Sequence, residues 1–298
     1  LAQMSFVGIG AVVMSKIGAG ATLGGVIVAL AVCAAAVGNT HAADPVALRR
    51  LEGQHLLLTT DLPRSPQIDG LPAVFDAAVP QWADYFGVEK RATESWRVTA
   101  CLIGDRQHLA AAGVLPGDLP EFLHGYSRGD QIWFYDQQSD YYRRHLLLHE
   151  GTHSFMTHFL GGVGPSWFFE GLAELLATHR TATPRDPVPW TLNYFPARRE
   201  EVPMLGRIKI VQGAVAARGA PALDAIMRTP AGAFRTNEPY AWCWSAVALF
   251  EHHPRYQPLF RRLILRLGDA PHGEAAFADW LRGQMGDQWP LAVEEWQV

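Results

Sequence analysis

The stretch LLLHEGTHSFMTHFLGGVGPSWFFEGLAE, residues 146–174, restricts the fold more than any other part of the chain. Its first half has the composition of a helix. It is preceded by Ser139-Asp140, which can cap a helix, and it stops at Gly161-Gly162, where a helix ends readily. Residues four apart on a helix stand on one face, about 6 Å along the axis. His149 and His153 can therefore direct ring nitrogens at one point, with Glu150 beside that point. This is the mechanical content of HExxH, two ligands and one base. The plainer alternative is a pair of core histidines satisfied by ordinary partners. The second half bears on that choice. Pro165-Ser166 opens a second helix, on which Glu170 and Glu174 again stand four apart. Two carboxylates on one face of an apolar helix are costly to bury without a partner. A metal with histidine ligands is such a partner, and simple exposure of either Glu is the alternative. The turn LGGVGPS between the helices lets the second fold back beside the first.

Around this pair the sequence reads as α+β. Strands are expected at 54–62, 95–104 and 129–136, where β-branched and aromatic residues run between Gly, Asp and Pro. Helices are expected at 71–88, with Pro80 kinking it, and at 105–113, capped by Asp105 and ended by Gly113. Residues 181–203 hold five prolines and are expected to be irregular, walling a cleft, with Arg198 and Arg199 in surface salt bridges or else meeting a substrate carboxylate. Helices are then expected near 204–218, 221–228, 239–252, 255–267, 273–284 and 287–297. The expected organisation is a leader over 1–43, an α/β part over 44–180 and a helical part over 181–298.

The leader is read from charge. Lys16 is the only Lys, Arg, Asp or Glu before Asp44, and residues 17–38 are uncharged and rich in Gly, Ala and Val. That pattern, ending in small residues, predicts a secretory signal cleaved after Ala42 or Ala43 and a secreted or periplasmic protein. An uncleaved anchor is the alternative, and it would be the sole route to a membrane. The remaining charges are mixed, the formal net charge is −4, and no basic run offers a nucleic-acid surface. At 49% hydrophobic and 18% charged, the chain can bury a sizeable core. Cys101 and Cys243 remain after the leader, either paired or as buried thiols.

HEGTH followed by PSWFFEGLAE resembles the gluzincins, zinc metallopeptidases with HExxH and a downstream Glu ligand, and within them the peptidase MA-like families. The resemblance is specific over about residues 140–180. It implies a zincin-like fold, Zn²⁺ held by His149, His153 and Glu170, and Glu150 as general base. It also implies that Glu174 orients a ligand histidine and that the reaction is hydrolysis of a peptide or protein substrate. Tyr240, near the start of a helix, is similar to the downstream Tyr of some gluzincin branches, which would donate to the oxyanion. As sequence alone it is equally an amphipathic-helix residue. Ile132, Trp133, Phe134 and Tyr135 would form an edge strand pairing with extended substrate, or else an ordinary buried strand. His124, His158 and His179 are expected to be structural or exposed. The rival from another class is a catalytically silent envelope binding or scaffold protein that keeps the fold. Retention of Glu150 argues for turnover, since a purely structural zinc site needs no base.

Overall fold

A computed structural model describes residues 47–162, 164–181, 189–196, 198 and 206–297. The expected leader and Arg199 lie outside the described residues. The first half builds a sheet. Strands β1 (Arg49–Glu52) and β2 (Leu56–Thr60) form a hairpin, and helix α1 (Leu71–Phe86) leads to β3 (Val98–Ile103). Helix α2 (Arg106–Ala111) then leads to the hairpin β4 (Gly125–Arg128) and β5 (Gln131–Tyr135). The strand order is β1-β2-β3-β5-β4. The inner strands β2, β3 and β5 are parallel, and the outer strands β1 and β4 are antiparallel to their neighbours.

This order corrects the edge-strand expectation for Ile132–Tyr135. Strand β5 pairs with β3 on one side and with β4 on the other, so its backbone has no free edge. Ile132, Trp133 and Phe134 are buried. The outer strand is β4, whose residues are only half-buried.

Period-2 alternation sorts the sheet's side chains between two cores. Ala100, Leu102, Ile132 and Phe134 join the main core, while Cys101, Ile103 and Trp133 face a smaller one closed by Leu109 of α2. Both cysteines are buried free thiols, Cys101 in the smaller core and Cys243 in the main one. Burial, with the charge of Asp61, pushes the Cys101 thiol up to about 12. Since the thiolate is the nucleophile, mildly alkaline iodoacetamide is expected to leave Cys101 unmodified in the folded chain and to label it after denaturation. Peptide mass spectrometry reads the difference, and prompt labelling of the folded chain would contradict this burial.

Two helices follow, α3 (Asp140–Leu160) and α4 (Ser166–Ala177). Ser139 caps α3 by accepting from the Tyr142 N–H. Arg143 then ties the first turn to the loop before it, reaching Asp136 at 2.5 Å, Asp140 at 2.6 Å and the Gln137 carbonyl at 2.7 Å. Phe155 anchors the helix against Trp82 of α1 and against Trp96, with ring centroids 5.9 and 5.4 Å apart. Burying such a ring contributes roughly 1.5–3 kcal/mol, so α3 is fixed on the sheet with its histidine face toward α4. Gly161 ends α3 in the left-handed conformation at φ 73°, and the chain turns back into α4. Helix α1 runs unbroken through Pro80.

The remaining elements include the short strand pair β6 (His179–Thr181) and β7 (Trp190–Leu192), then helices α5 (Gly206–Arg218), α6 (Asn237–His252), α7 (Gln257–Ile264), α8 (Glu274–Met285) and α9 (Gln288–Trp296), with one-turn helices such as Leu223–Ile226 between some of them. Thr181 and β7 fall within the segment expected to be irregular. Gln81 of α1 steadies β7 with its amide, donating to the Trp190 carbonyl at 2.9 Å and accepting from the Leu192 N–H at 3.0 Å. Helix α4 packs closely on α6 because position 171 has no side chain. A Cβ there would stand 2.7 Å from the Cys243 carbonyl oxygen. Among the described residues, no helix is long and apolar enough to cross a membrane.

Candidate metal centre

The site is two ladders on facing helices. Helix α3 presents His145, His149 and His153 at four-residue spacing, and α4 presents Glu170 and Glu174 at the same spacing. Glu170 Oε2 lies 3.2 Å from His149 Nε2 and 3.2 Å from His153 Nε2. The two imidazole nitrogens are 3.1 Å apart. One turn back, Glu174 Oε2 lies 3.2 Å from His145 Nε2, and Glu174 Oε1 lies 3.3 Å from His149 Nδ1. Two overlapping groups, His149/His153/Glu170 and His145/His149/Glu174, are thus each disposed to hold a metal ion.

Two imidazole nitrogens facing each other at this distance, with a carboxylate beside both, are satisfied either by a shared proton or by a metal ion. In the metal-free chain a proton serves. Burial disfavours charge on His149, but its bonds to Glu170 and Glu174 and their charges outweigh that and push it up to about 10. Burial likewise opposes charge on Glu170, yet the adjacent His153 and His149 bring it down to about 2. His145 is held below its ordinary value by burial.

Arg207, at the start of α5, meets Glu174 with a two-pronged fork. Its Nε donates to Oε2 at 2.7 Å and its Nη2 to Oε1 at 2.6 Å. The guanidinium holds Glu174 well below the usual carboxylate range in spite of burial. Both oxygens of Glu174 are thus engaged by a fixed cation, whereas among the described residues Glu170 is paired with the two histidines alone.

Neither a protein-family profile nor a curated protein matches this chain.

Glu150 is buried beside the His149/His153/Glu170 triangle, and burial raises its carboxyl above the ordinary range, partly offset by the two histidines. It stands against the backbone of β4. A Cβ at position 125 would overlap the Glu150 carboxylate, so glycine is what lets the outer strand reach the site. A cleft of about 330 Å³ opens from here, lined by His149, Glu150, His124, Arg207, Arg235 and Tyr240 among others. Tyr240 stands on α6 with its ring centroid 6.0 Å from that of His149 and 4.9 Å from that of Phe234. Burial and the surrounding carboxylates Glu170, Glu150 and Glu174 raise its phenol, which keeps its proton at neutral pH as a donor.

The other histidines separate. His158 is exposed and pairs with Asp130 at 3.0 Å. His179 is buried flat against Tyr141, centroids 4.3 Å apart, and burial pushes it down to about 3. His124 lines the cleft rather than standing apart from it. Arg198 is exposed. Three site residues went unread in the sequence. His145 had a visible signal, since it continues the four-residue spacing of His149 and His153. Gly125 and Arg207 had none, because their roles exist only once β4 and α5 have docked.

Proposed function

We propose that the chain is a zinc-dependent peptidase of the gluzincin type with a zincin-like fold. The observation that carries this reading is the His149/His153/Glu170 triangle with Glu150 beside it, His149 and Glu150 lining a cleft. Its three edges are 3.1, 3.2 and 3.2 Å. A tetrahedral zinc with bonds of about 2.0–2.1 Å spaces its ligand atoms about 3.3–3.4 Å apart, so these residues fit such an ion with a slight outward adjustment. The chemistry of the set, two imidazoles and a carboxylate with Glu150 beside them, is that of a catalytic zinc site. The mixed sheet, with an antiparallel outer strand beside the HExxH helix, supports the same fold.

When bound, zinc would supply Lewis acidity, polarising the scissile carbonyl and making water acidic. The chain's own residues supply the rest. Glu150 takes the proton of the attacking water on its carboxylate and returns it to the leaving amine. Its raised pKa in a buried setting suits both halves of that transfer. Glu174 Oε1 stands 3.3 Å from His149 Nδ1, and its charge favours the proton on that nitrogen, leaving Nε2 as the ligand atom. Tyr240 donates its phenol proton as a hydrogen bond to the oxyanion that develops at the carbonyl. An extended peptide adds along the outer edge of β4, which begins at Gly125 beside Glu150. Strand β4 thereby takes the part first expected of Ile132–Tyr135.

The test is metal content together with peptide hydrolysis. The purified chain is expected to hold one zinc, to cleave members of a mixed peptide library, and to lose and regain cleavage with chelation and zinc return. Zinc without cleavage of any library member would favour the silent binding or scaffold protein instead. Absence of zinc after its return would remove the metallopeptidase reading altogether.

A further inference from the structure

The two metal-disposed groups share His149, and a single neutral imidazole cannot give both nitrogens to metal ions. One group must be closed. We propose that Arg207 is the residue that closes it, a positioning residue that excludes metal from His145/His149/Glu174 and so directs the ion to His149/His153/Glu170. This rests on the metal-site reading above. The argument begins with Glu174. In the His145/His149/Glu174 group it is the sole anion, and both of its oxygens are already taken by the Arg207 fork at 2.7 and 2.6 Å. A divalent ion there would have to displace the fork or sit within a few ångströms of a guanidinium, and the arginine does not lose its charge at any working pH. The side chain is 13% exposed, lies over the Tyr240 ring with 5.6 Å from its guanidinium carbon to the centroid, and has no second acidic partner among the described residues. Its placement is therefore tied to Glu174. Glu170, by contrast, has among the described residues no cation against it other than the histidines that would be its co-ligands. Two carboxylates one helical turn apart are thus made unlike each other by one side chain from a third helix. The same fork keeps Glu174 anionic against His149 Nδ1, which turns the ligand nitrogen of His149 toward the other group.

Cobalt(II), a visible stand-in for zinc, provides the test, using metal-free chain and titrating to saturation. Wild type is expected to take one equivalent with a single visible spectrum. Arg207→Met, which keeps the length of the side chain and removes the charge, is expected to take one equivalent with an altered spectrum, because the shared His149 lets only one group be filled at a time. Adding His145→Ala to Arg207→Met is expected to restore the wild-type spectrum, which a merely structural role for Arg207 would not allow. Arg207→Gln keeps a hydrogen bond to Glu174 without the charge and is the second variant should Arg207→Met fold poorly, with the same outcome expected. One equivalent with an unchanged spectrum in whichever variant folds would overturn the proposal. Cobalt bound by the Arg207 variant and not by wild type would uphold it while removing the peptidase site. No cobalt in either would overturn both.

Discussion

Glu150→Gln is expected to lower kcat/KM on any cleaved peptide by about 10²- to 10⁴-fold, the usual contribution of a positioned general base, while zinc content stays at the wild-type level. The substitution is close to isosteric, so the crowded contact with β4 at Gly125 is kept. The amide can neither take the proton from water nor return it to the amine. Because Glu150 is absent from both metal-disposed groups, the ion is held without it. The measurement is steady-state hydrolysis beside elemental analysis of the same preparation. Unimpaired turnover would show that another group is the base. Loss of zinc together with activity would show that Glu150 is a ligand and that the division of labour on this helix is different.

His153→Ala is expected to weaken zinc binding by well over the roughly 10- to 100-fold that losing an outer hydrogen-bond partner costs. His153 Nε2 is one of three corners, and its removal leaves an imidazole and a carboxylate too few to close a site. The effect extends to stability. An ion that binds only the folded chain stabilises it by about 2.7 kcal/mol at 100 times its Kd, so chelation is expected to lower the Tm of wild type and leave that of His153→Ala unmoved. The variant also gives up the ring stacked on Phe169 at 4.4 Å, so its Tm without metal should lie below that of metal-free wild type. Chelator competition reads the affinity and thermal melts read the rest. Retention of affinity within a few-fold would refute this ligand set.

Local signals carried the sequence reading where they were strong. The Ser139 cap, Gly161 and Pro165 are each sufficient to mark an end of α3 or α4, and with those ends in place the four-residue spacings put the histidines and glutamates on faces. The sheet was less legible. GYSR has little of the β-branched character that marks a strand and becomes one by pairing with β5. Yet Gly129-Asp130 between GYSR and QIWFY is a two-residue hairpin signal, and it would have moved β5 off the edge. The strand pair β6–β7 has three-residue strands, too short for alternation to show, and depends on Gln81 more than one hundred positions earlier in the chain. Arg207 was invisible for a similar reason. It lies 33 residues from Glu174, and nothing local ties the two together.

The placement of the site along the chain also sets an order of assembly. Every corner of the triangle belongs to the α3–α4 helical hairpin, whereas Arg207 and Tyr240 come from α5 and α6. During synthesis the hairpin leaves the ribosome first, with both of its metal-disposed groups complete and neither yet singled out. The guanidinium that distinguishes them is translated later. Under the proposed function, metal arriving before α5 docks would meet both groups open, and docking of α5 would then leave one of them closed.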